Sequence, residues 1–224
     1  MKIIGISGEL ESGKSTVAKY LVNDYGYKEY SFADNLKQMC MKSFALTYEQ
    51  CYTSKGKAEQ LKSKRILSNF PMMEILCWVN IENKWDGPID YDKIHKILHR
   101  GETFSTARQI LQYVGTEVCR ECFLDNFHVK VLFDQISREK YSKIVISDAR
   151  FPNERRYIKN NKGIVVKTKD PNQEHKSSSN HASESNLGVD DDYDFVFNND
   201  KTKPITDLED QIKRCAAEFN LERM

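Results

Sequence analysis

The sequence predicts an α/β fold: a five-stranded parallel sheet with helices on both faces and one inserted helical lobe. Three observations carry this expectation. Five short runs that read as strands punctuate the chain, the first and third of them apolar. Segments with apolar residues at helical spacing lie between most of them. The first run passes into the first helical segment through a glycine turn. Alternating strand and helix is solved by parallel strands whose crossovers cover the sheet.

Lys2 to Ser7 is the first strand, apolar enough to be buried on both faces. Lys14 to Tyr25 is a helix with Val17, Ala18 and Leu21 on its inner side. Tyr27 to Phe32 is a second strand, and Ala33 to Leu46 a helix packed through Leu36, Met39, Cys40 and Ala45. From Thr47 to Thr103 the periodicity loosens, with a charged stretch at Lys55 to Lys64 and a turn signal at Asp86-Gly87-Pro88. Residues 46–103 are therefore expected to form an inserted, mostly helical lobe within a single domain. Ser105 to Gly115 is an amphipathic helix for which Ser105 can serve as N-cap, and a second helix is expected over Val118 to Glu139. Lys143 to Asp148 is a strand ending on a carboxylate, and Pro152 to Lys162 a helix with proline in its first turn. Gly163 to Thr168 and Tyr193 to Phe197 complete the strands, separated by a polar loop over Lys169 to Gly188. Pro204 to Leu221 closes the chain as a helix with Asp207, Glu209 and Asp210 early, at the positive end of its dipole.

Composition narrows the function classes. The chain has 224 residues, with 34 Lys plus Arg against 33 Asp plus Glu, a formal net charge of +1. So balanced a chain does not coat nucleic acid by bulk charge. Hydrophobic residues make up 39% and no run approaches the roughly 20 apolar residues of a membrane span. Met1-Lys2-Ile3-Ile4-Gly5 lacks the length and cleavage pattern of a signal peptide, so a cytoplasmic location is expected. Of the six cysteines, Cys119 and Cys122 form C-x-x-C without a second close pair to complete a zinc site. They read as reduced thiols, with a redox or metal role as the alternative.

The chemistry starts at Gly8-Glu9-Leu10-Glu11-Ser12-Gly13-Lys14-Ser15, the pattern G-x-x-x-x-G-K-S between a strand and a helix. Glycines let backbone N–H groups approach phosphate oxygens, and the helix N-terminus adds its own donors and partial positive charge. Lys14 brings a full charge to the phosphates, and Ser15 offers a hydroxyl to Mg²⁺, with Thr16 beside it. ATP is the expected ligand. Glu9 and Glu11 must face away from it, since the loop binds through its backbone. Asp148, at the carboxyl end of a strand, stands where ligands bind in open α/β sheets and is the natural second Mg²⁺ partner. A helix cap or structural ion pair is its alternative reading. Arg150, two residues on, is a phosphate-binding candidate. Without an N-K-x-D guanine-reading motif, a small-molecule kinase is favoured over a GTPase or a motor.

Four segments carry a family resemblance. Phe32-Ala33-Asp34-Asn35-Leu36-Lys37 resembles an F-A-D-x-L-K element, and Arg108 to Glu117 an R-x-x-x-Q-x-x-G-T-[ED] helix. Asp148 to Glu154 is similar to D-x-R-F-P-N-E, and His181-Ala182-Ser183-Glu184 to an H-x-S-E loop. Together, and in this order, they resemble the deoxynucleoside monophosphate kinases of bacteriophages and large DNA viruses. Departures are Asn35, where the family often has proline, and Ser15-Thr16, where many members have Asp-Thr. Residues 46–103 match nothing. The resemblance implies a sheet of order 2-3-1-4-5 and transfer of the terminal ATP phosphoryl group to a deoxynucleoside 5′-monophosphate. Lys14, Asp34 and Arg150 would then be catalytic. Lys37, Arg108, Gln112 and Arg120, with Asp34, would hold the acceptor; Arg120 could equally pair with Glu117 or Glu121. Lys169 and His181 would belong to a lid over the phosphates, with His175 and Lys176 nearby. Asn199, in the turn Asn198-Asn199-Asp200, would lie against adenine. Each of these is otherwise an ordinary surface, capping or turn residue. Small-molecule substrates, no nucleic acid, no membrane and an open question of a homodimer complete the expectation. Phosphomevalonate- or dephospho-coenzyme-A-kinase-like transfer, and a regulatory nucleotide-binding module without transfer, are the alternatives.

Overall fold

The computed structural model describes residues 1–9, 11–172 and 190–223, with the side chain of residue 191 excepted. They form two compact units, one of residues 1–32 with 136–224 and one of residues 33–135.

The first unit is built on β1 (Lys2–Gly8), β2 (Lys28–Tyr30), β5 (Lys143–Ile146), β6 (Ile164–Lys169) and β7 (Phe195–Asn198). They pair in parallel in the order β2-β5-β1-β6-β7. Counted among the sheet's own strands this is 2-3-1-4-5; two further strands in the other unit shift the numbering along the chain. Pairings such as Ile4 with Val145 and Ile6 with Val166 set the central register.

Alternation along the strands splits the apolar side chains between two faces. Ile4, Ile6, Val145, Val166 and Phe197 join one buried cluster with Val17, Ala18 and Leu21 of α1 (Lys14–Tyr25) and with Leu208 and Ile212 of α10 (Ile205–Glu218). Helix α9 (Pro152–Asn160) packs instead on β1 and β6, through the buried Ile158. Helices therefore cover both faces, as the buried central strands β1 and β5 require. Helix α1 ends at Gly26 in a left-handed conformation, its N–H returned to the Leu21 carbonyl.

The second unit contains most of α2 (Phe32–Phe44), then α3 (Tyr48–Tyr52), α4 (Ser54–Ala58), β3 (Gln60–Ile66), α5 (Asn69–Cys77), α6 (Tyr91–Arg100), β4 (Thr103–Thr106), α7 (Ala107–Tyr113) and most of α8 (Phe127–Glu139). Its core is a second cluster centred on Met39, Leu67, Ile75, Ile110, Val118 and Phe127. The expected lobe is helical over much of its length, but β3 pairs antiparallel with β4. The charged stretch Lys62 to Arg65 concealed β3, whose partner lies some forty residues downstream.

Two helix expectations also change. The N-cap of α7 is Thr106, not Ser105: its hydroxyl accepts from the Gln109 N–H while the Gln109 side chain accepts from the Thr106 N–H. Beyond Tyr113 the helix widens into a π-helical stretch, Val114–Phe123, and extended backbone at Leu124 separates it from α8. One helix over Val118 to Glu139 is thus replaced by two segments.

All six cysteines are free. Cys119 and Cys122 are buried, and burial pushes both thiols up, Cys122 to about 11, the opposite of what a reactive thiolate needs. Among the described residues no helix is long and apolar enough to cross a membrane.

Candidate phosphate-binding and acceptor sites

In the first unit, the loop between β1 and α1 is held in shape by its glycines and a set of hydroxyls. Gly8 has φ 143, and a Cβ there would lie 2.3 Å from the Thr168 carbonyl oxygen. Gly13 has φ 104, and a Cβ would meet Asn199 Nδ2 at 2.4 Å. Both positions demand glycine. Glu11 is exposed and left-handed at φ 61, local strain of the kind found in binding loops.

The Tyr193 hydroxyl donates to Ser7 Oγ at 3.0 Å, and Thr168 Oγ1 donates to the Ser7 carbonyl at 3.2 Å. With the Thr168 proton so used, Ser12 Oγ donates to Thr168 Oγ1 across 2.7 Å. Ser7, Ser12 and Thr168 are all fully buried. Asn199 Nδ2 donates to the Ser12 carbonyl at 3.1 Å, and its backbone N–H to the Lys169 carbonyl at 2.8 Å. Asn199 thus braces the loop from the strand-to-helix turn.

The Lys14 ammonium folds back on the loop, donating to the Gly8 carbonyl at 2.9 Å and also to that of Glu9. Ser15 is exposed and Thr16 half-buried in the first turn of α1.

Asp148 follows β5. Its Oδ2 accepts from Ser31 Oγ at 2.6 Å and its Oδ1 from the Phe32 N–H at 2.7 Å, so the carboxylate holds the start of α2. Ser15 hydroxyl and Asp148 carboxylate are hard oxygen donors of the kind Mg²⁺ takes. The residues therefore fit the ion, directly or through its water. No cluster of three or more His, Cys, Asp or Glu able to hold a metal occurs among the described residues.

The turn after Asp148 is set by Glu154, only 2% exposed, whose Oε2 accepts from the N–H groups of Arg150 and Phe151 at 2.8 and 3.0 Å. Buried Arg155 donates to the Arg150 carbonyl at 2.7 Å and lies 5.3 Å from the Tyr193 ring centre, while Arg156 is exposed. The Arg150 guanidinium is half-buried and makes no hydrogen bond or ion pair with any described residue. Lys169 is held by Asp190 Oδ2 at 2.6 Å, with Lys167 on the other carboxylate oxygen at 2.9 Å. These two ammonium groups keep the Asp190 carboxyl below the usual range. His181, with His175 and Lys176, lies outside the described residues.

In the second unit, Asp34 Oδ1 accepts from the Tyr52 hydroxyl at 2.7 Å, and Lys37 Nζ stands 4.5 Å from the centre of the same ring. Tyr52 stacks on the exposed Tyr48 with centroids 4.2 Å apart and planes 9° from parallel. Helix α7 packs on α3 and α4. It carries Arg108 and Gln112 one turn apart, both half-buried and neither bonded to any described residue. Arg120 differs: its side chain is 9% exposed and donates to the Asp125 carbonyl at 2.8 Å, with the Asp125 carboxylate at 3.6 Å. The pairing weighed with Glu117 or Glu121 is made with Asp125.

Four residues passed over in the sequence have evident structural work here: Ser31, Tyr52, Glu154 and Thr168. Thr168 and Glu154 stood at strand and helix ends and could have been suspected. Nothing local marked Tyr52 or Ser31.

A strand, a glycine-shaped loop, a helix whose first lysine folds over that loop, and a 2-3-1-4-5 parallel sheet define a P-loop nucleotide-binding protein. Comparison with known sequences sharpens the class. Residues 64–212 match the model of the family described as deoxynucleotide monophosphate kinase. A protein of Acanthamoeba polyphaga mimivirus, named provisionally for that activity, is 32% identical over 227 residues, covering 96% of each chain. The deoxynucleoside-5′-monophosphate kinase of Escherichia phage T5 is 26% identical over 83% of this chain and 84% of its own. The deoxynucleotide monophosphate kinase of Enterobacteria phage T4 is 23% identical, over 89% and 93%. The chain belongs to the deoxynucleotide monophosphate kinase family. The matched stretch begins well after Ser15, so cradle and family are separate observations.

Proposed function

We infer that the protein transfers the terminal phosphoryl group of ATP to deoxynucleoside 5′-monophosphates, making the diphosphates. The family match over residues 64–212, beside a phosphate cradle outside that stretch, carries this reading.

Phosphoryl transfer asks for positioning and charge neutralisation more than covalent chemistry. The backbone N–H groups of the loop and of the first turn of α1, with Gly8, Ser12, Gly13 and Thr16, receive the ATP phosphates. Lys14 exchanges carbonyl partners for phosphate oxygens. Ser15 and Asp148 would hold Mg²⁺, which neutralises phosphate charge when bound. Arg150, whose guanidinium bonds to none of the described residues, is assigned to the transferring group. Lys37 and Arg108 are assigned to the acceptor phosphate and Gln112 to a base edge, since its amide both donates and accepts. Asp34 orients the acceptor; a strong base is unnecessary, because a phosphate monoester is already largely ionised near pH 7. Arg120, committed to Asp125, and Lys169, neutralised by Asp190, are left out of the substrate contacts.

The test is product formation from labelled ATP with each deoxynucleoside monophosphate, alongside phosphomevalonate and dephospho-coenzyme A as control acceptors. Diphosphate from at least one deoxynucleotide is expected, and Lys14→Ala should lower kcat by about a hundredfold or more. ATP binding without product from any deoxynucleotide overturns the reading.

A further inference from the structure

We propose that Tyr52, which lies outside the four motifs of the sequence resemblance, is a positioning residue that sets Asp34 with its hydroxyl and Lys37 with its ring. The inference rests on the assignment of Asp34 and Lys37 to the acceptor. Its observations are geometric. One side chain meets both groups: a 2.7 Å hydrogen bond to Asp34 Oδ1 and a 4.5 Å approach of the Lys37 ammonium to the ring centre.

Asp34 and Lys37 are three apart on α2 and so lie on one face of it. A flexible lysine beside a carboxylate would otherwise tend to pair with it, and a paired lysine is a poorer phosphate ligand. No Asp34–Lys37 ion pair forms here; the ammonium rests on the ring and the carboxylate on the hydroxyl. Tyr52 therefore keeps opposite charges apart while fixing both. Its own ring is held by the Tyr48 stack and by the capping box of α3, in which Thr47 and Gln50 exchange bonds. Burial and the Asp34 carboxylate both push the phenol well above its ordinary range. The hydroxyl stays protonated, so it donates and the carboxylate accepts.

The two contacts separate by mutation. Tyr52→Phe deletes the hydroxyl and keeps the ring; Tyr52→Leu removes both. Variants are compared at matched circular-dichroism spectra, varying ATP and acceptor independently. Tyr52→Phe should lower kcat/KM for the deoxynucleotide roughly tenfold, as loss of a hydrogen bond to a charged group does, with the KM for ATP within about twofold. In an Asp34→Ala background the same change should do nothing further. Tyr52→Leu should cost more than Tyr52→Phe, and the excess should vanish in a Lys37→Met background. If Tyr52→Leu does not fold, the phenylalanine cycle decides alone. Full additivity of Tyr52→Phe with Asp34→Ala, or an equal rise in both KM values, overturns the positioning role and leaves the acceptor assignment standing. Wild-type acceptor kinetics in both Asp34→Ala and Lys37→Met overturn the assignment and the inference together.

Discussion

Arg108 and Arg120 look alike in sequence, two arginines on consecutive helical segments near one family motif. Their surroundings separate them. Arg120 has its guanidinium tucked against the 124–126 turn, where it donates to the Asp125 carbonyl and lies beside the Asp125 carboxylate. Arg108 is half-buried yet bonds to nothing described, an arrangement that keeps five donors available. Arg108→Ala should raise the deoxynucleotide KM by about tenfold or more, the scale of a charge-assisted contact, with ATP affinity changed less than about twofold. Steady-state kinetics with each substrate varied in turn would check it. A matching loss of ATP affinity would remove Arg108 from the acceptor side. Only the i, i+4 spacing of Arg108 and Gln112 was legible beforehand. Whether either guanidinium was already spent could not be, because Asp125 lies in a turn that the expected continuous helix did not contain.

Among the elements, the loop from β1 to α1 was the most legible and the most constrained. Its motif is local, and so is the physics: positive φ at Gly8 and Gly13 follows from the tight turn itself. What spacing could not supply is the reason Gly8 tolerates no side chain, a carbonyl from residue 168 on a strand far along the chain. Gly8→Ala should destabilise the protein by about 2–4 kcal/mol, since the clash is with backbone, and should weaken ATP binding as the loop opens. Urea unfolding and nucleotide titration would measure the two effects. Retained stability with wild-type ATP affinity would show that the loop can adjust. Elements of the second unit were harder. The β3–β4 pairing joins distant segments, one of them dense in lysine, and local alternation says nothing about a remote partner. The π-helical stretch Val114–Phe123 escapes because its repeat is wider than 3.6 residues, so the apolar positions drift off a single stripe.

For the molecule as a whole, two separate apolar clusters account for the two units, and neither depends on an ion. Chelation of divalent ions should therefore abolish turnover while leaving the far-ultraviolet circular-dichroism spectrum unchanged, and added Mg²⁺ should restore the rate. Turnover that persists in excess chelator would remove Ser15 and Asp148 from their assigned role. The sheet was readable chiefly from its central strands, because β1 and β5 are apolar and buried along nearly their whole length and need no knowledge of their neighbours, whereas Lys28 and Glu29 of β2 are exposed. The second unit, whose helices are short and whose core is assembled from many segments, offered no comparable repeat.

The hydroxyl chain from Tyr193 through Ser7 and Thr168 to Ser12 has one more consequence. It fastens the phosphate loop to Thr168 of β6, to Ser7 of β1 and to the bend leading into β7 by bonds that form when the sheet forms. The conformational entropy lost in shaping the loop is thus charged to folding and not to nucleotide capture, and binding energy that would have gone into ordering backbone remains available for affinity.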